Sequence, residues 1–123
     1  MVNSYRKIKS LKTGVIGVGS MGVNHVRLLK EVSNLVFISD VNESLGYTVS
    51  KEYDVKFVKN YIDYLDDIDA VFVVVPTKYH RPVAETIIDK KIPTLIEKPL
   101  SDNIEDAKFI LSEFCEHRIK LCV

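Results

Sequence analysis

The run Ala70–Val75, AVFVVV, is apolar at every position. A strand with one wet face alternates apolar and polar side chains, so a run that is apolar throughout calls for cover on both faces. Strands of that kind sit in parallel sheets with helices on each side, and the rest of the chain has the pattern such a sheet requires. Thr13–Val18 (TGVIGV) reads as a buried strand, followed by a helix from about Ser20 to Val32 with Val26 and Leu29 facing inward. Leu35–Asp40 is a second strand, and Asn42 caps a helix that ends near Tyr53. Val55–Val58 is a weak third strand, and Tyr61–Leu65 is a short helical turn. After Ala70–Val75, Pro82 suits the first turn of a helix that carries Val83, Ala84, Ile87 and Ile88 at helical spacing. Thr94–Glu97 is a fifth strand. Asn103 or Asp102 caps a last helix with Ile104, Ala107, Leu111 and Phe114 on one face, and Ile119–Val123 is a sixth strand. The expected fold is α/β, a doubly wound parallel sheet of about six strands with right-handed crossovers.

Composition removes several alternatives. The 123 residues suit one compact domain, and 46% hydrophobic residues are enough for a core. Lysine plus arginine and aspartate plus glutamate stand at 17 each, which argues against a nucleic-acid backbone binder. Residues 1–12, with Arg6, Lys7, Lys9 and Lys12, read as a basic, solvated lead-in, and residues 13–123 as the domain. No apolar core follows those charges, so a signal peptide is not expected. No apolar run approaches the ~20 residues of a membrane span, so no membrane partner is expected. Cys115 and Cys122 have neither disulfide-framework nor metal spacing and read as small core residues in a reducing cytosol. Asp63, Asp66, Asp67 and Asp69 read as a solvated turn, and no metal site is expected.

Open parallel sheets bind ligands beyond the carboxyl ends of their strands, where the strand order reverses. Gly17–Gly22 (GVGSMG) fits G-x-G-x-x-G between a strand and a helix, the context in which that pattern binds a dinucleotide. Gly17 permits the tight turn, Gly19 lets the backbone approach a pyrophosphate, and Gly22 lets helix and strand pack closely. Ser20 and Met21 lie at the helix N-terminus, whose free N–H groups and positive dipole end suit an anion. Asp40 closes the second strand 18 residues after Gly22, near the offset of an acid that binds the adenosine ribose hydroxyls. A carboxylate there repels a 2′-phosphate, and Val41 and Asn42 supply no arginine to attract one. The expected cofactor is NAD rather than NADP.

Two further segments leave strands on the same rim. Val73–His80 (VVVPTKYH) follows the fourth strand. Pro76 stops the strand, Thr77 can donate and accept a hydrogen bond beside a dinucleotide, and His80 faces either a nicotinamide or its own helix start. Leu95–Leu100 (LIEKPL) ends the fifth strand in Glu97 and Lys98, with Pro99 fixing the exit. A lysine beside a charged nicotinamide can hold a hydroxyl or relay a proton, with Glu97 positioning it or contacting the ribose; the plainer alternative is an exposed salt-bridged pair.

Taken together, VIGVGSMGVNHVR, Asp40, VPTKYHRPVAE and IEKPLS resemble the cofactor domain of the Gfo/Idh/MocA oxidoreductases over about Thr13 to Val123. The resemblance implies the Rossmann fold and a cytoplasmic dehydrogenase acting on a sugar, nucleotide sugar or cyclitol. It implies that Lys98 contacts nicotinamide and substrate as the catalytic lysine. Gly17, Gly19, Ser20, Met21, Gly22 and Asp40 would hold the adenosine and pyrophosphate side, and Pro76, Thr77, His80 and Glu97 would line the path to the nicotinamide. It also raises a cis Lys98–Pro99 bond. Members of the family continue into a second α+β domain that supplies substrate contacts, an Asp and His pair and much of a homo-oligomer interface. No histidine here occupies that pair's position, and His25 and His117 read as structural or exposed. The chain alone is therefore expected to bind cofactor without turnover. A stand-alone nucleotide-sensing Rossmann module is the alternative from a different functional class.

Overall fold

The computed structural model describes residues 8–123; Arg6 and Lys7 of the expected lead-in lie outside them. Six strands alternate with helices: β1 (Lys12–Ile16), α1 (Ser20–Val32), β2 (Asn34–Ser39), α2 (Glu43–Tyr53), β3 (Lys56–Phe57), β4 (Ala70–Val73), α3 (His80–Ile88), β5 (Thr94–Ile96), α4 (Ile104–Glu116) and β6 (Leu121–Cys122). Two short 3₁₀ segments, Tyr61–Asp67 and Thr77–Tyr79, precede β4 and α3. Among the described residues every strand pair is parallel, and the sheet order is β3-β2-β1-β4-β5-β6. The order reverses between β1 and β4, as a doubly wound sheet requires.

Local chemistry sets the element ends. Asn42 accepts from the Leu45 N–H at 3.1 Å and Asn103 from the Asp106 N–H at 2.8 Å, so α2 and α4 start where a side-chain amide satisfies a first-turn donor. The strands stop sooner than the apolar runs do. Val74 and Val75 lie beyond β4, because the chain bends there toward Pro76.

The core lies on both faces of the sheet. Val15, Ile38, Val26, Leu29 and Val49 pack between the sheet and α1 and α2. Phe37, Leu65, Val71, Ile87, Ile110 and Phe114 pack on the other face, under the 3₁₀ segment, α3 and α4. The cover is unequal. Phe72, Leu95 and Cys122 form one register row across β4, β5 and β6, and they help line an open groove of about 260 Å³. Among the described residues, no helix is long and apolar enough to cross a membrane.

Two expectations change. Cys115 and Cys122 are both exposed rather than in the core: Cys115 faces out from α4, and Cys122 lies on the edge strand. Leu111 and Ile104 are 53% and 73% exposed, and Ile110 takes the inward place with Phe114. Ile110 and Phe114 are four residues apart and share a helix face, whereas Leu111 is turned by about 100° from Ile110. The four aspartates of the acidic segment are exposed, as a solvated turn implies, and two of them also make surface contacts: Asp69 accepts from the Lys12 N–H at 2.9 Å and Asp66 from Lys90 Nζ at 3.1 Å.

Candidate active site

The carboxyl ends of β2, β1, β4 and β5 form a stepped rim held by backbone hydrogen bonds. Gly17 N–H donates to Ser39 O at 2.8 Å, Val74 N–H to Ile16 O at 2.8 Å and Glu97 N–H to Val73 O at 2.9 Å. The three segments picked out in the sequence thereby emerge side by side, from β1, β4 and β5.

The glycine turn is built by close approach. Gly17 has φ of +98°, and a Cβ there would lie 2.6 Å from the Val74 carbonyl carbon and oxygen. A Cβ on Gly22 would lie 2.0 Å from Gly17 O, so α1 sits against the turn as only glycine allows. Gly19 is different: a Cβ there would meet nothing within 4 Å. It is exposed at the N-terminus of α1, where no side chain caps the first-turn N–H groups and no acidic residue offsets the dipole. Ser20 and Met21 are exposed beside it. This open space over unpartnered donors fits the pyrophosphate of a dinucleotide.

Asp40 closes the turn from the β2 side. Its Oδ2 accepts from the Val18 N–H and its Oδ1 from the Asn42 N–H, each at 2.8 Å. The carboxylate therefore joins the glycine turn to the start of α2 and remains half-exposed at the end of β2.

On the other side, Pro76 is exposed and Thr77 half-buried. His80 is turned inward and is 1% exposed. Its Nδ1 lies 3.0 Å from Leu100 O and its Nε2 3.0 Å from Val75 O. The ring thus braces the β4 exit against the segment after Pro99, and its nitrogens are not presented to the rim. The Lys98–Pro99 bond is cis.

Glu97 and Lys98 do not form the surface ion pair offered as the plainer alternative. Glu97 Oε2 pairs with His25 Nε2 at 2.9 Å, both side chains being 21% exposed. The His25 ring centroid lies 5.8 Å from that of Phe72. The His25 hydrogen bond holds the Glu97 carboxyl below its ordinary range; burial opposes this, and the Lys98 backbone N–H assists it. Lys98 is exposed and, among the described residues, has no ion-pair partner. Sequence reasoning set His25 aside as structural or exposed. A weak signal was present, since His25 follows Gly22 by three residues and so shares its side of α1.

Two other features lie off the rim. A groove of about 320 Å³ between α3 and α4 is lined by Arg81, Glu85, Phe109, Glu113 and His117. Arg81 is paired there, with Glu85 at 3.0 Å and Asp106 at 2.8 Å. Among the described residues, no group of three or more His, Cys, Asp or Glu could hold a metal ion.

UDP-N-acetylglucosamine 3-dehydrogenase of Acidithiobacillus ferrooxidans is 31% identical over 113 residues, which cover 92% of this chain and 36% of that protein. Inositol 2-dehydrogenase 1 of Saccharopolyspora erythraea is 32% identical over 110 residues, covering 84% of this chain and 33% of the relative. The solved structure of the Acidithiobacillus enzyme superposes with a TM-score of 0.85 at 30% identity, over 91% of this chain and 38% of that one. GenD2 from gentamicin A biosynthesis, solved in complex with NAD, shares the fold with a TM-score of 0.85 at 24% identity, over 94% of this chain and 34% of that one. The chain thus spans about a third of the length of the relatives it matches. A family model described as an oxidoreductase family with an NAD-binding Rossmann fold matches residues 11–123, and the chain belongs to that family, Gfo/Idh/MocA.

Proposed function

We propose that this chain is the NAD-binding domain of a dehydrogenase that moves a hydride to or from a hydroxyl-bearing carbon of a sugar, nucleotide sugar or cyclitol. The observation that carries the reading is the open space at Gly19 over the uncapped start of α1, on the same rim as Lys98, which has no ion-pair partner among the described residues. The named activities of the relatives supply the substrate class.

Gly19, Ser20 and Met21 would receive the pyrophosphate, with Gly17 and Gly22 holding the turn in shape. Asp40 would accept from the ribose hydroxyls and disfavour a 2′-phosphate, so NAD is preferred over NADP. When bound, the nicotinamide supplies the hydride chemistry. Pro76 and Thr77 would border its path, and the exposed Lys98 would hold or relay the substrate hydroxyl proton. His80 supports this wall from beneath rather than lining it. The domain comprises residues 13–123 behind a basic lead-in. The reading includes a cytoplasmic setting, and a homo-oligomer for the longer enzyme. The chain alone binds cofactor without useful turnover.

Fluorescence titration with NADH and NADPH tests this. Tighter NADH binding is expected. Tighter NADPH binding removes the NAD preference, and binding of neither overturns the reading.

A further inference from the structure

The His25–Glu97 contact joins residues 72 apart in sequence and two parts of the site with different work to do. His25 lies on α1, the helix whose first turn faces the pyrophosphate space, and Glu97 lies at the β5 end, directly before Lys98. An ionised carboxylate only accepts hydrogen bonds, so Nε2 carries the proton in this pair. The ring sits against Phe72 of β4, which limits its tilt, and the close packing of Gly22 on Gly17 O sets where α1 lies over the sheet. Lys98 follows Glu97 at the bend beyond β5, exposed and close enough for its charge to act on the Glu97 carboxyl. Without His25, the nearest cation for Glu97 is the neighbouring ammonium of Lys98.

We propose that His25 is a positioning residue: it binds the Glu97 carboxylate to the dinucleotide-binding helix, and so keeps that carboxylate off Lys98 and leaves the lysine free for ligand. This rests on the reading of Lys98 given above. It also ties the β5 end to α1, so one hydrogen bond fixes the two walls of the crevice relative to each other.

Lys98 reactivity reports on this directly. Reductive methylation of the full 123-residue chain is followed by peptide mass spectrometry, with Lys51 and Lys120 as internal references. His25→Phe keeps a ring against Phe72 but removes the donor. Lys98 labelling is expected to fall about threefold relative to the references, as a freed neighbouring carboxylate holds the ammonium charged. His25→Gln restores an N–H and is expected to restore most of the labelling. In the His25→Phe/Glu97→Gln double variant, with no carboxylate to capture the lysine, labelling is expected to return to the wild-type rate. If His25→Phe does not fold by circular dichroism, His25→Asn, whose amide is too short to reach Glu97, repeats the test. Folded His25 variants with wild-type Lys98 labelling overturn the proposal. Protection of Lys98 by NADH is measured in the same samples. Protection without any effect of His25 sinks the positioning role alone, whereas no protection overturns the reading of Lys98 and the proposal with it.

Discussion

Gly22→Ala and Gly19→Ala place the same methyl group three residues apart and should act on different quantities. In a helix interior, alanine is ordinarily better than glycine by about 1 kcal/mol. At position 22 the added Cβ would stand 2.0 Å from Gly17 O and 2.8 Å from Gly17 C. Both are backbone atoms of a turn that itself presses on Val74, so neither can rotate away. The helix would have to recede by roughly 1 Å, and overpacking of this kind costs ~1–3 kcal/mol or more. Because backbone meets backbone, we expect the upper end: a loss of about 3 kcal/mol, net of the gain in helix propensity, and a Tm lower by ~12 °C. At position 19 the backbone is at φ −67° and ψ −164°, which alanine adopts freely, and the Cβ meets nothing within 4 Å. The loss of a favourable helix-start residue and the stiffening of the unfolded chain oppose each other, each by about 0.5–1 kcal/mol, so Tm should move by only a few degrees. The methyl does, however, enter the space assigned to the pyrophosphate. A cost of ~2 kcal/mol there weakens NADH about 30-fold. Differential scanning fluorimetry of the free proteins and NADH fluorescence titration measure the two quantities. The assignment fails if Gly19→Ala binds NADH within threefold of wild type. The packing argument fails if Gly22→Ala melts within a few degrees of wild type.

Asp40→Ser removes the charge expected to repel a 2′-phosphate, so the NADPH to NADH affinity ratio should rise at least tenfold in parallel titrations. It should also cost about 1 kcal/mol in urea unfolding, because the Val18 N–H loses its 2.8 Å partner. The Glu97 carboxyl is held below its ordinary value of 4.5 in the fold, so its contribution to stability is present above that pH and fades as pH falls through the depressed value. The stability difference between wild type and Glu97→Gln should therefore be present at pH 5 and shrink toward pH 3, as urea midpoints can follow. Asn103→Ala removes the 2.8 Å cap on the Asp106 N–H and should cost about 1 kcal/mol with no change in NADH affinity.

What could be read from the sequence was what local chemistry determines. The continuous apolar run at Ala70–Val75 implied a two-sided parallel sheet, and β4 does lie between β1 and β5 with helices on both faces. Asn42 and Asn103 could be named as caps because capping acts over three residues. The glycine turn was legible because its three positions are set by one turn and its neighbours. Side-chain direction was less accessible. The face of α4 was misplaced by one residue, from Ile110 to Leu111, because both are apolar and only the tertiary packing distinguishes them. His80 opens α3 at the rim, and nothing local shows that carbonyls at Val75 and Leu100 draw it inward. The His25–Glu97 pair depends on how high α1 rides over the sheet, and no pattern within either segment encodes that distance.

The pairing of β1 with β4 also has a consequence in time. Thr13 meets Ala70 and Ile16 meets Val73, while the other edge of β1 is taken by β2. A ribosome making ~5–20 residues per second needs roughly 2–6 s to go from the end of β2 to the start of β4. For that interval β1 has an open, apolar edge, the kind of surface on which nascent chains aggregate. The ligand crevice is the seam that closes when β4 arrives, so the part of the molecule assigned to the cofactor is also the part that a nascent chain leaves unfinished longest in its first half. A chaperone that shields this one strand edge for a few seconds would protect the fold at its most exposed moment.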